Sequence, residues 1–148
     1  MIRQLGNGFE LDDSRDRIDV AAAHRFLSER AYWARGRELA VQEQLVSEAA
    51  RVVGLYRDAE MVGFCRAARC SPGLFYLADV YVLEEHRGRG LGVELVREML
   101  ERGPGADAKW LLHTDDAHDL YRRFGFAEPG RKLLERPPRQ PANFSSRL

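Results

Sequence analysis

Two segments in the first third of the chain carry apolar residues at helical spacing. The two sets recur every three or four positions and comprise Val20, Ala23 and Leu27, then Val41, Leu45 and Ala49. Such spacing places side chains on one face of a helix. It predicts helices over about 20–30 and 37–49, separated by a loop around 32–36. Asp19 stands where a carboxylate accepts bonds from the first backbone N–H groups, so it is the predicted N-cap.

The middle of the chain changes to apolar and β-branched residues interrupted by turn-forming residues. This pattern is typical of strands joined by tight turns. The predicted strands are Arg51–Arg57, Met61–Arg69 and Leu74–Leu83, with turns at Asp58-Ala59 and Ser71-Pro72-Gly73. Residues 2–11 predict an earlier strand with a turn at Gly6-Asn7-Gly8.

The last third alternates between the two patterns. Leu91, Leu95 and Met99 share one face of a predicted helix, which ends at Gly103-Pro104-Gly105. The remaining predicted elements are a short strand over Lys109–His113, a helix over Asp116–Phe124 capped by Gly125, and closing strands at Phe126 and Leu133–Leu134 around a turn at Pro129-Gly130.

The predicted element order is β-α-α-β-β-β-α-β-α-β-β. This order indicates a mixed α/β (α+β) fold, with a central sheet and helices on its faces. The length of 148 residues suits one domain. We expect that domain to span residues 1–136, and the proline-rich residues 137–148 to form an irregular tail.

The charge balance narrows the class of partner. Lysine plus arginine and aspartate plus glutamate both total 23, so the formal net charge is zero. Proteins that coat nucleic acid or an acidic membrane surface usually carry excess positive charge. We therefore expect neither nucleic acid nor membrane as a partner, although a local basic patch stays open.

Cysteine usage indicates a reducing compartment. Cys65 and Cys70 form no CxxC pair and no cluster with histidine, so neither a zinc site nor a redox motif is indicated. If both lie on one strand, their odd spacing places them on opposite faces, and we expect buried free thiols. The first residues lack the apolar core of a signal peptide, and no run is long enough to span a membrane. A cytoplasmic protein is expected.

The most informative segment follows the third of the middle strands. Gly88, Gly90 and Gly92 alternate with other residues, and Arg87 and Arg89 stand among them. Glycine lets the backbone approach a ligand, and the start of the following helix offers free N–H groups to an anion. The segment therefore predicts a pyrophosphate cradle. The alternative is an ordinary turn with close helix packing; a Walker loop is excluded because no Gly-Lys-Ser/Thr follows.

Two motifs carry a resemblance to a known family. They read Arg87-Gly88-Arg89-Gly90-Leu91-Gly92 after an apolar strand, and Leu120-Tyr121-Arg122-Arg123-Phe124-Gly125-Phe126 on a later helix. Together, with the elements between them, they resemble the GNAT superfamily of acetyl-CoA-dependent N-acetyltransferases over residues 50–135. The resemblance implies a central, mixed, mostly antiparallel sheet. It also implies transfer of an acetyl group from acetyl-CoA to a primary amine, with no metal.

The resemblance implies a set of residues around acetyl-CoA. The backbone at Tyr81 and Val82 would pair with the pantetheine arm, and the glycine segment would hold the pyrophosphate. Many relatives have an asparagine where this chain has Thr114, so one side-chain contact differs. The predicted cofactor-binding residues are Tyr81, Val82, Arg87, Gly88, Arg89, Gly90, Leu91, Gly92 and Thr114.

Tyr121 is the predicted general acid. A phenol is protonated at neutral pH, so Tyr121 can protonate the departing coenzyme A thiolate. The alternative is an aromatic residue that only packs. Asp79 is the other predicted catalytic residue, because a carboxylate within an apolar strand needs either a partner or a task. Its alternative is a buried salt bridge.

The identity of the general base stays open at this point. Four more residues near the predicted site are candidates: Glu84, His113, Asp115 and Asp116. His113 and His118 also raise the question of a metal site. We do not predict one, because the first histidine ends a strand and the second lies on the next helix.

The acceptor side is predicted from the loop between the first two helices. Tyr32 and Trp33 lie there, where members of the GNAT family commonly border the acceptor pocket, and a hydrophobic plug is the alternative. The expected acceptor is a small-molecule or peptide amine. A homodimer stays open. The alternative function is a non-catalytic acyl-CoA-binding regulatory module of the same fold.

Overall fold

Residues 1–139, which the computed structural model describes, fold around a six-stranded sheet whose strands follow one another in chain order. The strands are β1 Ile2–Gly6, β2 Phe9–Asp12, β3 Arg51–Arg57, β4 Glu60–Ser71, β5 Leu74–Val82 and β6 Lys109–Leu111. The helices are α1 Val20–Arg30, α2 Leu39–Glu48, α3 Leu91–Glu101 and α4 His118–Arg122, with short 3₁₀ turns at Arg15–Arg17 and Glu84–His86.

The sheet is mixed and mostly antiparallel, which confirms the predicted fold class. Strands β1 to β5 pair antiparallel in sequence. Strand β6 joins β5 in parallel, because α3 carries the chain back across the sheet before β6 begins. That pairing runs only from Leu74 opposite Lys109 to Tyr76 opposite Leu111. Beyond Tyr76, β5 continues to Val82 with no partner strand on that side in the described part of the chain.

Local signals account for the helices and turns. The Asp19 carboxylate accepts a 2.9 Å hydrogen bond from the Ala22 N–H and caps α1 as predicted. The turn after β3 has positive φ values at Asp58 and Ala59. At the N-terminus, the predicted single strand is a hairpin instead. Positive φ values through residues 6–8 reverse the chain fully, so residues 9–12 pair with both β1 and β3.

Alternation along the strands builds a core on each face of the sheet. Val53 and Leu55 face α3 and α4, whereas Val52 and Tyr56 face α1 and α2. The predicted apolar face of α3 is confirmed, since its residues Leu91, Leu95 and Met99 are 7%, 0% and 1% exposed. The helices therefore cover both faces of the sheet.

Two predictions about the chain's periphery differ from the structure. The prediction of closing strands is wrong, because no strand follows α4 in the described residues up to Arg139. Only Phe126 packs on the core, while Leu134 is 89% exposed, so one isolated anchor and a proline turn do not hold a strand. Cys65 is buried but Cys70 is exposed near the end of β4, and both thiols are free. Of the predicted tail, residues 140–148 lie outside the described residues.

A buried carboxylate on α3 ties three elements together. Glu98, 4% exposed, accepts hydrogen bonds from Arg3 Nε at 2.6 Å and from Arg51 Nη2 at 3.3 Å. Arg51 also donates to the backbone oxygens of Glu98 and Met99, near the C-terminal end of the helix. The arginines of β1 and β3 thereby fix α3 against the sheet.

Among residues 1–139, no helix has the length and apolar character needed to cross a bilayer.

Replacing Glu98 with Ala is expected to lower the free energy of unfolding by about 1–3 kcal/mol, because it leaves the partly buried Arg3 guanidinium without its acceptor and removes one acceptor of Arg51. Urea unfolding measures the change. Glu101→Ala in the same helix is the control, since Glu101 is 54% exposed and pairs with Arg97 at 3.7 Å only. Equal losses in both variants would contradict the role assigned to Glu98.

Candidate active site

The divergence of β5 from β6 opens a cavity of about 420 Å³, which we call the β5–β6 cavity. One wall is the unpaired stretch Leu77–Val80 of β5. The opposite wall is formed by residues 112–114 together with Asp116 and Ala117. The remaining lining residues come from the α1–α2 loop, from β4, from β5 and from α4: Tyr32, Trp33, Arg37, Arg66, Tyr76 and Tyr121. The fold thus brings the predicted acid, Asp79 and the predicted acceptor-side residues to one cavity.

Tyr121 lies in α4 with its ring 8% exposed and in edge contact with Phe126, at 5.9 Å between ring centroids. Burial raises the pKa of the Tyr121 phenol, so the group stays protonated at neutral pH. The Tyr121 hydroxyl has no hydrogen-bond partner among residues 1–139, and its oxygen is not fully buried. The hydroxyl is therefore accessible from the cavity as a proton donor.

Asp79 lies at a bulge of β5, where Asp79 and Val80 together stand opposite Cys65. Its φ of 56° is unusual for a residue other than glycine and aims its carboxylate at a cluster of donors. Those donors are Arg66 Nε at 2.6 Å, Arg37 Nη1 at 2.9 Å, Arg37 Nη2 at 3.2 Å and Trp33 Nε1 at 3.1 Å. Four hydrogen bonds hold the carboxylate in place.

The electrostatics of Asp79 follow from this cluster. Burial alone raises the pKa of the carboxyl, but the guanidiniums of Arg66 and Arg37 outweigh it, and the pKa lies below the ordinary value of 3.8. Asp79 is therefore ionised at neutral pH and holds its charge strongly. A carboxylate in this state is a poor proton acceptor.

The loop between α1 and α2 closes one side of the cavity. Tyr32 Oη accepts a 2.9 Å hydrogen bond from the backbone N–H of Asp115, across the opening. The rings of Tyr32 and Trp33 meet edge to face with centroids 5.0 Å apart, and Trp33 also donates to Asp79. Both residues predicted for the acceptor side therefore line the cavity. Tyr32 is held by its hydrogen bond to Asp115, and Trp33 is held by its hydrogen bond to Asp79.

The glycine segment, Arg87 to Gly92, follows the unpaired part of β5 after the 3₁₀ turn Glu84–His86. Gly88 and Gly90 have φ values of 79° and 76°, a conformation that favours glycine. Helix α3 begins at Leu91 with Gly90 as its N-cap and with no side chain bonded to its first N–H groups. A Cβ built at Gly88, Gly90 or Gly92 meets no atom within 4 Å. Open space over uncapped N–H groups is the arrangement that suits an anion.

Two arginines border this segment in different ways. Arg87 Nε donates a 2.9 Å hydrogen bond to the Val82 carbonyl and so closes the turn. The Arg89 guanidinium lies 5.9 Å from the centroid of the Phe9 ring. Both side chains are exposed, so their charge adds to the positive end of α3.

The other predicted cofactor-binding residues offer mainly backbone. Tyr81 is buried and stacks on Phe26 with centroids 4.1 Å apart, and Val82 and Leu91 are in the core. Thr114 lines the cavity, where its hydroxyl accepts a 3.1 Å hydrogen bond from the Ala117 N–H at the start of α4.

The candidate bases separate by position. His113 and Asp116 line the cavity, whereas Glu84 and Asp115 do not. His113 Nδ1 lies 2.5 Å from the Tyr76 hydroxyl, and its Nε2 lies 3.3 Å from Glu135. In the part of the chain that the structure describes, no three of His, Cys, Asp or Glu side chains are placed to hold a metal ion.

The sequence reasoning missed three residues of the site: Arg37, Arg66 and Tyr76. Arg66 carried a signal, since a charged residue between Cys65 and Ala67 interrupts an apolar strand. Arg37 and Tyr76 carried none, because a loop arginine and a strand tyrosine are both ordinary.

Comparison with known proteins gives a consistent result. The model of the Acetyltransferase (GNAT) family matches residues 19–126. A solved structure from Xanthomonas campestris pv. campestris, described as an acetyltransferase of the GNAT family, is 30% identical with a TM-score of 0.79. The match covers 93% of this chain and 97% of the Xanthomonas chain. The search of curated proteins gave no match.

Two more distant structures share the fold. A GNAT family acetyltransferase from Brucella melitensis, solved in complex with acetyl-CoA, is 23% identical, with a TM-score of 0.66 and coverage of 82% of this chain and 84% of its own. An aminoglycoside acetyltransferase from an uncultured soil metagenomic sample is 20% identical, with a TM-score of 0.59 and coverage of 88% and 97%.

Proposed function

The chain belongs to the GNAT acetyltransferase family, and from that premise we propose that it moves an acetyl group from acetyl-CoA to a primary amine by direct attack. The observation that carries the proposal is the β5–β6 cavity, which joins an unpaired strand edge to an accessible tyrosine hydroxyl. The glycine segment that follows the same strand supplies the anion site.

The residues fit coenzyme A in two places. The pyrophosphate is held over Gly88, Gly90 and Gly92 by the uncapped N–H groups of α3, with Arg87 and Arg89 adding positive charge. The pantetheine arm lies along the free edge of β5 as an added strand, bound by backbone groups. The side chains of Tyr81 and Val82 are buried in the core, so they take part through their backbone alone.

The reaction needs no covalent enzyme intermediate. The amine nitrogen attacks the thioester carbon, and a backbone N–H near Val82 stabilises the oxyanion that forms. The C–N bond is then complete, the C–S bond breaks, and Tyr121 donates its proton to the departing thiolate. Neither cysteine takes part, which agrees with one buried thiol and one exposed thiol outside the cavity.

The acceptor amine must lose a proton to become a nucleophile. For an amine with a pKa of ~10.4, deprotonation at pH 7 costs about 4.6 kcal/mol. We propose that the proton leaves through Tyr76 and His113, which are hydrogen-bonded in the cavity wall. Asp79 serves instead as a positioning residue, because its low pKa and four hydrogen bonds suit holding Arg37 and Arg66 rather than accepting a proton.

We also propose the wider setting of this activity. The domain spans residues 1–136 and acts in the cytoplasm, where free thiols such as Cys65 and Cys70 persist. Its partners are acetyl-CoA and a small-molecule or peptide amine, with no nucleic acid and no metal, and the balanced net charge supports the exclusion of nucleic acid.

Binding of acetyl-CoA tests the proposal directly. A ligand at a hundred times its Kd stabilises the folded state by about 2.7 kcal/mol, which corresponds to a rise in Tm of roughly 5–11 °C for a domain of this size. Differential scanning calorimetry with and without acetyl-CoA measures the shift. A Tm that acetyl-CoA does not move would overturn the proposed function.

Replacing Gly92 with Ala is expected to move stability and binding in opposite directions. The new Cβ meets no protein atom within 4 Å, and Ala suits a helix better than Gly, so the free protein gains up to about 1 kcal/mol. The same methyl group occupies the space of the proposed pyrophosphate and weakens acetyl-CoA binding by about 1–3 kcal/mol, or about 5- to 150-fold in Kd. Isothermal titration calorimetry measures the Kd.

The control is Ser47→Ala, an exposed position on α2, which packs on the opposite face of the sheet from α3. It offers a similar gain in helix propensity with no change expected in Kd. If Gly92→Ala bound acetyl-CoA as tightly as Ser47→Ala, the pyrophosphate would not lie over Gly92.

A further inference from the structure

Two arginines that line the β5–β6 cavity, Arg37 and Arg66, carry more positive charge than their acidic neighbours neutralise. The side chains of Arg37 and Arg66 are 7% and 12% exposed, and both pair with the single carboxylate of Asp79. Gln42, the other acceptor of Arg37, is neutral. Among the described residues these two guanidiniums have no second acidic partner, so one positive charge is left beside the cavity. A charge at low exposure favours an anion that can reach it.

Arg66 is the guanidinium that is free to bind such an anion. It donates to Asp79 through Nε only, at 2.6 Å, and its two terminal nitrogens make no hydrogen bond to protein from Met1 to Arg139. Those terminal nitrogens are not fully buried, so they are accessible from the cavity that Arg66 lines. Arg37, in contrast, uses both terminal nitrogens on Asp79 and Gln42.

The geometry of a guanidinium selects the kind of anion. Its two terminal nitrogens present parallel N–H groups that match the two oxygens of a carboxylate. Asp79 and Trp33 hold the other side of the cluster, so Arg66 is oriented before a ligand arrives. Pre-orientation lowers the entropy lost on binding.

The same cavity contains the groups that would face an amine. Tyr121 lines it, and Asp116 lies exposed at its rim, where a carboxylate attracts an approaching ammonium group. The volume of about 420 Å³ is small, so both ends of a short acceptor lie within the one cavity. A polyamine or other polycation would instead set a second positive charge against Arg66, which disfavours it.

We propose that the acceptor is a small amine that also carries a carboxylate, such as an amino acid, and that the terminal nitrogens of Arg66 bind this carboxylate. The inference rests on the proposed acetyl transfer and adds its substrate class. Asp79 contributes by fixing Arg66, and Asp116 contributes by attracting the amine end.

A matched panel of acceptors tests the substrate class. Amino acids are compared with their amides and with the corresponding decarboxylated amines, and coenzyme A release from acetyl-CoA is followed by thiol detection. The wild type is expected to use the carboxylate form with a kcat/KM about 10- to 100-fold above that of the amide. Wild-type preference for amides, decarboxylated amines or polyamines would overturn the inference and leave acetyl transfer standing.

Variants of Arg66 locate the effect. Arg66→Gln is expected to abolish the preference for the carboxylate form, mainly through KM, and Arg66→Lys to keep part of it through its charge. The fold of Arg66→Gln is supported because Asp79 retains Arg37 and Trp33, and circular dichroism checks it. Arg69→Gln, exposed on the same strand and outside the cavity, is the control. A preference that survives in Arg66→Gln would overturn the assignment.

A binding measurement covers the case in which no amine of the panel reacts. The Tm of the coenzyme A-loaded protein is recorded with N-acetyl amino acids and with their amides. Stabilisation by the acids alone, lost in Arg66→Gln, supports the inference, and equal or absent stabilisation overturns it. Failure of acetyl-CoA itself to raise the Tm is a separate result that counts against the proposed function.

Discussion

Replacing Tyr121 with Phe is expected to lower kcat by about 10²–10⁴-fold, the contribution typical of a positioned general acid. The hydroxyl makes no hydrogen bond to any residue from 1 to 139, so its removal leaves no buried protein group unpaired. The ring remains in contact with Phe126 and keeps α4 in place. We therefore expect the Kd for acetyl-CoA and the Tm to change little. Steady-state kinetics of coenzyme A release, with calorimetric titration of acetyl-CoA, measures both.

A second tyrosine of the core provides the control. Tyr56 is 2% exposed, lies outside the β5–β6 cavity, and donates a 2.9 Å hydrogen bond to the Arg17 carbonyl. Tyr56→Phe is expected to lower stability and leave kcat close to that of the wild type. Equal turnover by Tyr121→Phe and wild type would remove Tyr121 from the mechanism. A wild type that binds acetyl-CoA but acetylates no amine would favour the non-catalytic module.

Local sequence signals predicted the central strands well. Arg51–Arg57 was predicted with its observed bounds, because a turn at Asp58 and Ala59 ends it unambiguously. The helix after the glycine segment was equally clear, since its apolar face is strongly periodic. Here the local pattern and the tertiary packing specify the same structure.

The two ends of the sheet depend on pairing that the sequence pattern does not encode. The N-terminal pattern predicts one strand with a turn at Gly6-Asn7-Gly8, whereas in the fold the residues on the two sides of that turn form separate strands, β1 and β2. At the other end, Leu133 and Leu134 were taken as a strand because they are apolar, yet they are 48% and 89% exposed. A pair of apolar residues without a partner edge buries too little surface to form a strand.

The candidate site divides in the same way. The resemblance to the GNAT family indicated Gly90 and Tyr121, because each lies within a short motif that is contiguous in sequence. Arg37 and Arg66 could not be predicted in this way, because they come from a loop and a strand that meet only in the folded protein, at Asp79. The sequence did indicate that Asp79 needs a partner or a task, since burying a carboxylate alone is costly.

Replacing Asp79 with Asn is expected to lower the free energy of unfolding at pH 7 by about 3–5 kcal/mol, the loss typical when one partner of a buried ion pair is removed. Asn is nearly the same shape, but it leaves Arg37 and Arg66 without their shared countercharge. Urea unfolding measures the change. Asp119→Asn is the control, because the Asp119 side chain is fully exposed and no measurable loss is expected there.

The pH dependence separates charge from shape as the cause of this loss. The folded-state pKa of Asp79 is below its ordinary value of 3.8, so its stabilising contribution is present above that value and disappears as pH falls through the folded-state pKa. The stability difference between wild type and Asp79→Asn should therefore be constant near neutrality and shrink in acid below about pH 3.8. A difference that stays the same in acid would assign the loss to side-chain geometry. A variant as stable as the wild type at pH 7 would contradict the buried ion pair, and with it the orientation of Arg66 on which the acceptor assignment depends.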